Sequence, residues 1–304
     1  MATDQELKIT ISIVTVNWNR KSDLAQLIDS LRGQSDPDFE IIVVDNGSSD
    51  GSPAYIRSQA PHVRLIPLDE NCGVKAFNTG VAAATGRYAV LLDNDVVLPP
   101  DFVGKIRETA AEYSGINVFA LNVLDKNGVR QKDYLPQDAD RPVPWHNFIG
   151  GGVVFRTDYY RRMGGYHDQF FVYINETEFA ARILMDNEDI LYCPHITLIH
   201  KTSPAARIGA TAFFHYIRNA LLFFAMYYPL LERWNLICGF LTINGKKALR
   251  DRRIGPYLSA LVSFIKAPKQ YHRGLAKIDR DRLGGCFQGN PALSAILGRR
   301  VWGK

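Results

Sequence analysis

Short apolar runs alternate with amphipathic segments along the first half of the chain. Runs rich in Val, Ile and Leu that are too short for most helices predict buried strands at Lys8–Asn17, Phe39–Asp45, Val63–Pro67 and Tyr88–Asp93. The segments between them predict helices at Ser22–Leu31, Pro53–Gln59, Val74–Ala84 and Pro99–Tyr113. Because polar residues follow each strand before the next helix begins, this order predicts a doubly wound, mostly parallel α/β sheet.

The pattern is less regular in the second half of the chain. Gly150-Gly151-Gly152 marks either a plain turn or a place where the backbone closely approaches another group, such as an acceptor. A helix is predicted over Asn175–Met185, and two strands are predicted at Ile190–Cys193 and Ile196–His200. The segments beyond them predict helices, so the α/β sheet is expected to carry a helical C-terminal extension.

Two carboxylates close the fourth predicted strand. Residues two apart in extended backbone point the same way, so Asp93 and Asp95 can face one ligand while Asn94 faces away. Carboxylates this close repel each other unless a cation or hydrogen-bond donors neutralise them. Open α/β sheets bind ligands at this carboxyl edge. The pair therefore indicates a ligand or cation site, although a polar exit from a strand would give the same pattern.

Charge divides the 304-residue chain into two parts. Residues 1–200 contain 18 Lys and Arg against 27 Asp and Glu, whereas residues 201–304 contain 18 against 4. This asymmetry predicts an α/β domain over residues 1–205 and a basic, helical region over residues 206–304. The hydrophobic content of 46% is ample for a core. Four widely spaced cysteines are typical of neither a zinc ribbon nor a disulfide scaffold, and fit a reducing compartment.

The C-terminal region is predicted to attach to a membrane surface. Thr211–Leu231 is long enough to span a bilayer, but His215, Arg218 and Asn219 lie within it, which favours burial between domains or partial insertion into an interface. The segments that follow interleave basic and aromatic residues, a pattern that suits anionic lipid. Nucleic acid is disfavoured because no recognised binding motif occurs. A solvated basic helix face remains the alternative.

Several nucleotide-binding classes lack their motifs in this chain. No G-x-G-x-x-G follows the first strand and no G-x-x-x-x-G-K-[ST] occurs, which disfavours a classical dinucleotide fold and a P-loop NTPase. A nucleotidyltransferase would carry glycines after the first strand, and Asn17–Lys21 has none. The polar, acidic start of the chain predicts no secretory signal, so a cytoplasmic protein is expected.

Six short motifs in order along residues 9–200 resemble those of inverting family 2 glycosyltransferases with the GT-A fold, in particular the rhamnosyltransferase-like subgroup. They are Val14–Arg20, Val43–Gly51, Asn71–Gly80, Leu92–Asp95, Gly164–Phe171 and Tyr192–His200, with a weaker match at Tyr216–Asn219. None is specific alone, but six in register are strong evidence. The resemblance implies a GT-A-type sheet that binds a nucleoside-diphosphate sugar with a divalent cation.

The resemblance also implies roles for individual residues. Asp95 is expected to bind the metal directly, Asp93 to hold the ribose or reach the metal through water, and His200 to complete the site. Oxygen ligands suit Mn²⁺ or Mg²⁺, and an imidazole favours Mn²⁺. The donor is expected to contact the polar residues of these motifs and two nearby cations: Thr15, Asn17, Asp45, Asn46, Asn71, Gly73, Lys75, Asn78, Asn94 and Arg218.

One motif departs from the family pattern. The family usually has an acidic "EDvDL" segment where this chain has Asn175-Glu176-Thr177-Glu178-Phe179. Aligned in this way, Glu176 occupies the position of the catalytic base, although Glu178 remains an alternative. Acidic residues that only stabilise a helix N-terminus would give the same pattern.

A sugar transferase of this kind is expected to act on cell-surface glycans. The resemblance implies dTDP-rhamnose or a UDP-sugar as donor and a glycan or polyprenyl-linked sugar as acceptor. It places the enzyme as a peripheral protein on the inner face of the cytoplasmic membrane. The alternative is a catalytically silent sugar-nucleotide-binding or scaffold protein.

Overall fold

A nine-stranded sheet flanked by helices organises residues 10–130, 135–201 and 209–272, the ranges that the computed structural model describes. The strands are β1 Ile11–Asn17, β2 Phe39–Asp45, β3 Arg64–Pro67, β4 Tyr88–Asp93, β5 Val96–Val97, β6 Val118–Leu124, β7 Val143–Trp145, β8 Gly152–Arg156 and β9 Ile190–His200. The helices are α1 Lys21–Arg32, α2 Ser52–Gln59, α3 Ala76–Ala83, α4 Phe102–Glu112, α5 Thr157–Arg162, α6 Asn175–Met185, α7 Gly209–Tyr227, α8 Leu230–Arg250, α9 Ile254–Ile265 and α10 Lys269–His272. A short 3₁₀ helix, Gly73–Lys75, precedes α3.

The strand order brings the polar strand ends to one edge of the sheet. The hydrogen-bonded order is β3-β2-β1-β4-β8-β6-β9-β5, with β7 paired to β9. The first four strands run parallel, with Asn17 opposite Asp45 and Val16 opposite Asp93. The ends of β1, β2 and β4 therefore meet, as the sequence predicts.

The other half of the sheet is mixed. β8 runs antiparallel to β4 and β6, whereas β9 runs parallel to β6 and antiparallel to β5 and β7. The predicted α/β class with C-terminal helices is confirmed, but consecutive parallel pairing is found only among β1 to β4, and β6 and β9 form a separate parallel pair. Buried strands of either direction carry continuous apolar runs, so the apolar pattern alone does not give the direction of β8.

A bulge makes β9 one strand where the sequence predicts two. The register between β6 and β9 shifts midway, and Asn122 Nδ2 donates a 2.9 Å hydrogen bond to the carbonyl of Pro194 at that point. Proline removes a ladder donor and would otherwise end the strand. Because the bulge accommodates it, β9 continues to His200.

One carboxylate supports the start of both helices that follow β1 and β2. The amide of Lys21 donates to Asp50 Oδ2 at 2.8 Å, and the amide of Ser52 donates to Asp50 Oδ1 at 3.0 Å. The predicted helix start at Ser22 is one residue late, because α1 begins at Lys21, whose amide is satisfied by a residue from the β2–α2 loop. This bridge fixes the two loops at the sheet edge relative to each other.

Helix α7 is buried against the α/β part of the structure. Most of its last nine residues are fully buried, and it ends at Tyr227, two residues before Pro229. The second half of α7 is therefore buried within the protein, and its position between two domains stays a prediction. No helix in the described ranges is both long and apolar enough to cross a bilayer. The predicted boundary at residue 205 lies outside the described residues.

Candidate active site

Asp93, Asp95 and His200 meet at the carboxyl edge of the sheet. Asp93 ends β4, Asp95 lies in the turn to β5, and His200 ends β9, where it pairs with Val96 of β5. The His200 Nε2 atom lies 2.9 Å from Asp95 Oδ1 and 3.6 Å from Asp93 Oδ2. One ligand atom from each residue lies within 4.8 Å of the others. The three side chains are therefore close enough to bind one cation together.

Burial and charge shift the pKa values in this cluster. Although 39% of the Asp93 side chain is accessible, its carboxyl group is surrounded by protein atoms. Desolvation there, opposed by His200 and reinforced by the charge of Asp95, raises the pKa of Asp93. Burial disfavours the imidazolium of His200, but its hydrogen bond to Asp95 and the charge of Asp93 outweigh this and raise the pKa of His200. The two carboxylates thus favour the charged form of His200, whose positive charge is of the kind that a bound divalent cation would supply.

Arg20 also contacts the cluster, which the sequence did not indicate beyond its place at the end of the first motif. Its Nη1 atom lies 3.1 Å from Asp95 Oδ2 and 3.7 Å from Asp23 Oδ2. The Asp95 side chain is only 5% exposed, so this contact offsets part of the cost of burying its charge.

The donor set fits Mn²⁺ or Mg²⁺. Two carboxylates supply the oxygen ligands that both ions prefer, and an imidazole nitrogen is better suited to Mn²⁺. Asn94 does not join this set. Asn94 is 7% exposed, and its side-chain amide donates to Asn17 Oδ1 at 2.8 Å, which ties the turn after β4 to the end of β1.

Two consecutive glycines bring a third carboxylate to the cluster. A β-carbon on Gly151 would lie 2.6 Å from Asp93 Oδ2, and one on Gly150 would lie 2.6 Å from Glu176 Oε1. Since neighbouring α-carbons are about 3.8 Å apart, Asp93 and Glu176 face the same short stretch of backbone. Of the two meanings that the glycine run allowed, close approach to another group is therefore the one that applies.

Glu176 has the electrostatic properties of a proton acceptor. It lies in the first turn of α6. Burial raises its pKa from 4.5 to about 7, with hydrogen bonding opposing the shift and the charge of Asp93 adding to it. A carboxylate with a pKa near the operating pH is well suited to general base catalysis.

Glu178 is instead bound on the far side of α6. Arg182 donates to both of its carboxylate oxygens at 2.8 and 2.9 Å, and the Tyr227 hydroxyl of α7 donates to Oε1 at 2.6 Å. The side chain of Glu178 is fully buried. The two candidate bases therefore occupy different environments, because Glu178 joins α6 to α7 while Glu176 faces Gly150 and the charge of Asp93.

The Val43–Gly51 motif forms a hydrogen-bond network with the end of β1. Asn17 Nδ2 donates to Asp45 Oδ2 at 3.0 Å, and the amide of Ser48 donates to Asp45 Oδ1 at 2.9 Å. Asp45 therefore stabilises the turn that follows β2. Thr15, which was expected to contact the donor, is fully buried within β1.

The second part of this network joins the β2 loop to the segment before α3. Asn46 Nδ2 donates to Asn71 Oδ1 at 2.8 Å and to the Gly73 carbonyl at 3.1 Å. Gly73 has φ of +66°, and a β-carbon there would collide with the carbonyl of Phe171. Lys75 is exposed next to this loop.

Asn78 joins α3 to the loop after α5 rather than facing the cleft. It accepts hydrogen bonds from the Tyr160 hydroxyl at 2.7 Å and the Tyr166 amide at 2.9 Å, and donates to the Tyr166 carbonyl at 2.8 Å. Through these bonds Asn78 fixes the backbone of Tyr166 within the Gly164–Phe171 motif.

Arg218 and Asn219 of α7 hold the peptide that leads into α6. Arg218 donates to the carbonyl of Gln169 at 2.6 Å and to its side chain at 3.1 Å. Asn219 Nδ2 donates to the carbonyls of Val172 and Tyr173 at 2.8 and 3.0 Å. The Arg218 guanidinium, which was expected to contact the donor, thus forms its hydrogen bonds with this loop.

The peptide held in this way has an unusual backbone conformation. Tyr173 and Ile174 have φ of +66° and +64° immediately before α6. Left-handed backbone is costly for a β-branched residue and persists only where surrounding contacts impose it. The two bonds from Asn219 supply such contacts, and the conformation sets the position of Glu176 two residues later.

Comparison with known proteins gives the family. Residues 12–174, more than half of the chain, match the sequence model of Glycosyl transferase family 2. The chain belongs to glycosyl transferase family 2. The predicted resemblance is thus confirmed at the level of the family. The matched residues include the strands from β1 to β8 and end just before α6 and β9.

Relatives in glycosyl transferase family 2 match different shares of the chain. The succinoglycan biosynthesis protein ExoO of Rhizobium meliloti is 31% identical over 154 residues, which are 49% of this chain and 44% of that protein. The N-acetylglucosaminyl-diphospho-decaprenol L-rhamnosyltransferase of Mycobacterium tuberculosis is 20% identical over 249 residues, 66% of this chain and 80% of that one. The chain spans less than half the length of several curated relatives that it matches.

Solved structures confirm the fold. The mannosyltransferase PcManGT of Pyrobaculum calidifontis, in complex with GDP-Man and Mn²⁺, superposes with a TM-score of 0.56 at 18% identity. The superposition covers 97% of this chain and 87% of that one. Both the sheet and the C-terminal helices thus have counterparts in a GT-A glycosyltransferase.

Proposed function

We propose that this chain is a metal-dependent, inverting glycosyltransferase that moves a sugar from a nucleoside-diphosphate donor to a glycan or lipid-linked acceptor. The observation that carries the proposal is the approach of Asp93 and Glu176 to adjacent glycines. The cluster that contains Asp93 suits a departing diphosphate, and Glu176 suits an incoming hydroxyl. The two groups that a sugar transfer needs are therefore side by side.

Asp93, Asp95 and His200 would hold Mn²⁺ or Mg²⁺. When bound, such a cation neutralises negative charge that develops on the leaving diphosphate. Mn²⁺ is the better fit because of the imidazole, and Mn²⁺ accompanies GDP-Man in the mannosyltransferase of similar fold.

Glu176 acts as the general base. It takes the proton of the acceptor hydroxyl as that oxygen bonds to the anomeric carbon, while the bond from this carbon to the diphosphate oxygen breaks. Attack occurs opposite the diphosphate, so the product has inverted configuration. General base catalysis typically contributes about 10²–10⁴-fold, which is the loss expected for Glu176→Gln.

The donor nucleotide lies along the ends of β1 and β2, near Asn17 and Asp45. We propose dTDP-rhamnose or a UDP-sugar as the donor. Similarity to an L-rhamnosyltransferase that acts on a decaprenol-linked sugar supports rhamnose and a polyprenyl-linked acceptor. Such an acceptor would keep the protein peripheral at the inner face of the cytoplasmic membrane.

Donor binding and turnover test this function separately. A donor sugar nucleotide that binds only the folded state raises Tm by mass action, so dTDP-rhamnose, UDP-sugars and GDP-mannose are screened with and without Mn²⁺. Release of nucleoside diphosphate then measures transfer by wild type, Glu176→Gln and the exposed control Glu112→Gln. Unchanged turnover in Glu176→Gln would refute the assignment of Glu176 as the general base. Absence of turnover with every donor that binds would favour a silent sugar-nucleotide-binding protein.

A further inference from the structure

Helix α9 presents a stripe of apolar side chains to solvent. Ile254, Leu258, Val262 and Ile265 have exposed fractions of 45%, 53%, 49% and 73%. Their spacing of four, four and three residues places them on one face of the helix. The helix contains no charged residue between Ile254 and Ile265. An uncharged helix with a bare apolar face is unusual at a fully hydrated surface.

Helix α8 continues this apolar surface. Leu231, Trp234 and Leu249 are 82%, 58% and 66% exposed and lie on one helix face, since 18 residues make about five turns. The opposite face of α8 is buried, through residues such as Phe240 and Ala248. The hydroxyl of Tyr257 in α9 donates to the carbonyl of Leu241 in α8 at 2.9 Å. Because both helices also pack on α7, their bare stripes lie on the side away from it.

Basic residues lie beside these stripes. Lys246, Lys247, Arg250 and Arg252 are exposed around the end of α8 and the turn to α9. Residues 230–272 contain eight Lys and Arg against two Asp and Glu. Apolar side chains bordered by cations match the boundary between acyl chains and phosphate headgroups.

From this arrangement we infer that the outer face of α8 and α9 docks on an anionic lipid bilayer. The apolar stripes enter the headgroup boundary and the basic residues contact lipid phosphates. A second copy of the chain is a poorer occupant, because two-fold pairing of this face would bring the two basic rims together. The inference extends the membrane attachment proposed above by assigning it to specific residues.

The docking face is connected to the loop that leads into α6, the helix that carries the proposed base. Ser263 of α9 accepts a 3.0 Å hydrogen bond from Arg218 Nε, and Arg218 in turn holds Gln169. A bilayer bound by α9 would therefore have a fixed position relative to the entrance of α6. That arrangement suits an acceptor whose lipid remains in the membrane.

Vesicle binding tests the inference without donor, metal or turnover. The full chain is floated with phosphatidylcholine vesicles that contain or lack phosphatidylglycerol. We expect binding to the anionic vesicles, reduced at least tenfold by Leu258→Ser with Val262→Ser. The control is Val129→Ser, since Val129 is 48% exposed in a turn distant in sequence. Melting curves of each variant verify that it is folded.

Two further measurements separate lipid insertion from simple charge attraction. Tryptophan emission should shift to the blue on vesicle binding, and Trp234→Phe should remove that shift. Lys246→Gln with Arg250→Gln should weaken binding to anionic vesicles at least tenfold, whereas Arg57→Gln on α2 should not. No vesicle binding, or equal binding by the apolar double variant, would overturn the inference. Self-association that disappears in that variant would overturn it as well, because a second copy would then cover the face.

Discussion

Replacing Glu176 by Gln should stabilise the free protein although it removes the proposed base. The carboxyl has a pKa of about 7 in the folded chain against 4.5 ordinarily. Between these pH values the unfolded chain releases a proton that the folded chain retains, so stability falls as pH rises. The penalty is absent below about pH 4.5 and complete above about pH 7. Glutamine carries no charge and escapes it.

The size of the effect follows from the two pKa values. The difference between 4.5 and about 7 corresponds to about 3 kcal/mol at pH 8 and to about 1 kcal/mol or less at pH 5. The first figure is an upper bound, because glutamine forms weaker hydrogen bonds than a carboxylate. In a chain of this size it corresponds to a rise in Tm of about 5 °C.

Thermal unfolding at pH 5, 6, 7 and 8, with a chelator present, measures the difference between Glu176→Gln and wild type. The matched variant is Glu178→Gln two residues away, which leaves the Arg182 guanidinium without its buried partner. It should lower stability at each pH by about 3 kcal/mol or more. A Tm difference for Glu176→Gln that is the same at pH 5 and pH 8 would refute the reasoning, because a raised pKa requires the gain to grow with pH.

Three other substitutions test the site. Asp95→Asn should lower Mn²⁺ affinity at least tenfold by electron paramagnetic resonance titration, because the ion loses a charged ligand; unchanged affinity would contradict the assigned ligand set. Gly151→Ala should reduce transfer at least 100-fold by displacing the neighbouring carboxylate, whereas Gly115→Ala, which has open space around it, should not. Asn219→Leu should lower kcat while changing KM little, and should shift the pH profile of transfer that Glu176 controls. A loss of stability with an unchanged pH profile would show that the Asn219 amide has only a structural role.

The features that depend on local pattern could be predicted from the sequence. The runs ending at Asp45 and Asp93 gave the correct strand ends, and the bounds of the helix Asn175–Met185 match the structure. Hydrophobic periodicity and turns depend on residues that are neighbours in the sequence, so the bounds of these strands and helices can be predicted from the sequence alone. The meeting of carboxylates at one sheet edge then follows from parallel pairing.

Features that depend on distant residues could not be predicted. The two acidic residues of α6 look equivalent in sequence, but in the structure Glu178 is bound by the hydroxyl of Tyr227, 49 residues away, whereas Glu176 faces Gly150. The contact between Arg20 and Asp95 spans 75 residues. Pro194 favoured two strands because the bulge that accommodates it depends on Asn122 of another strand. Such pairings are fixed by the tertiary fold rather than by periodicity.

The bonds from Asn219 to the peptide before α6 have a consequence for chimeric enzymes. The family match ends at residue 174, whereas the amide that secures the next turn comes from α7. An exchange of C-terminal helices between relatives would therefore keep the original sheet, which is proposed to bind the nucleotide. The residue that positions the start of α6, and with it the proposed base, would then come from the other protein. Hybrids of this kind should retain donor affinity long before they recover turnover.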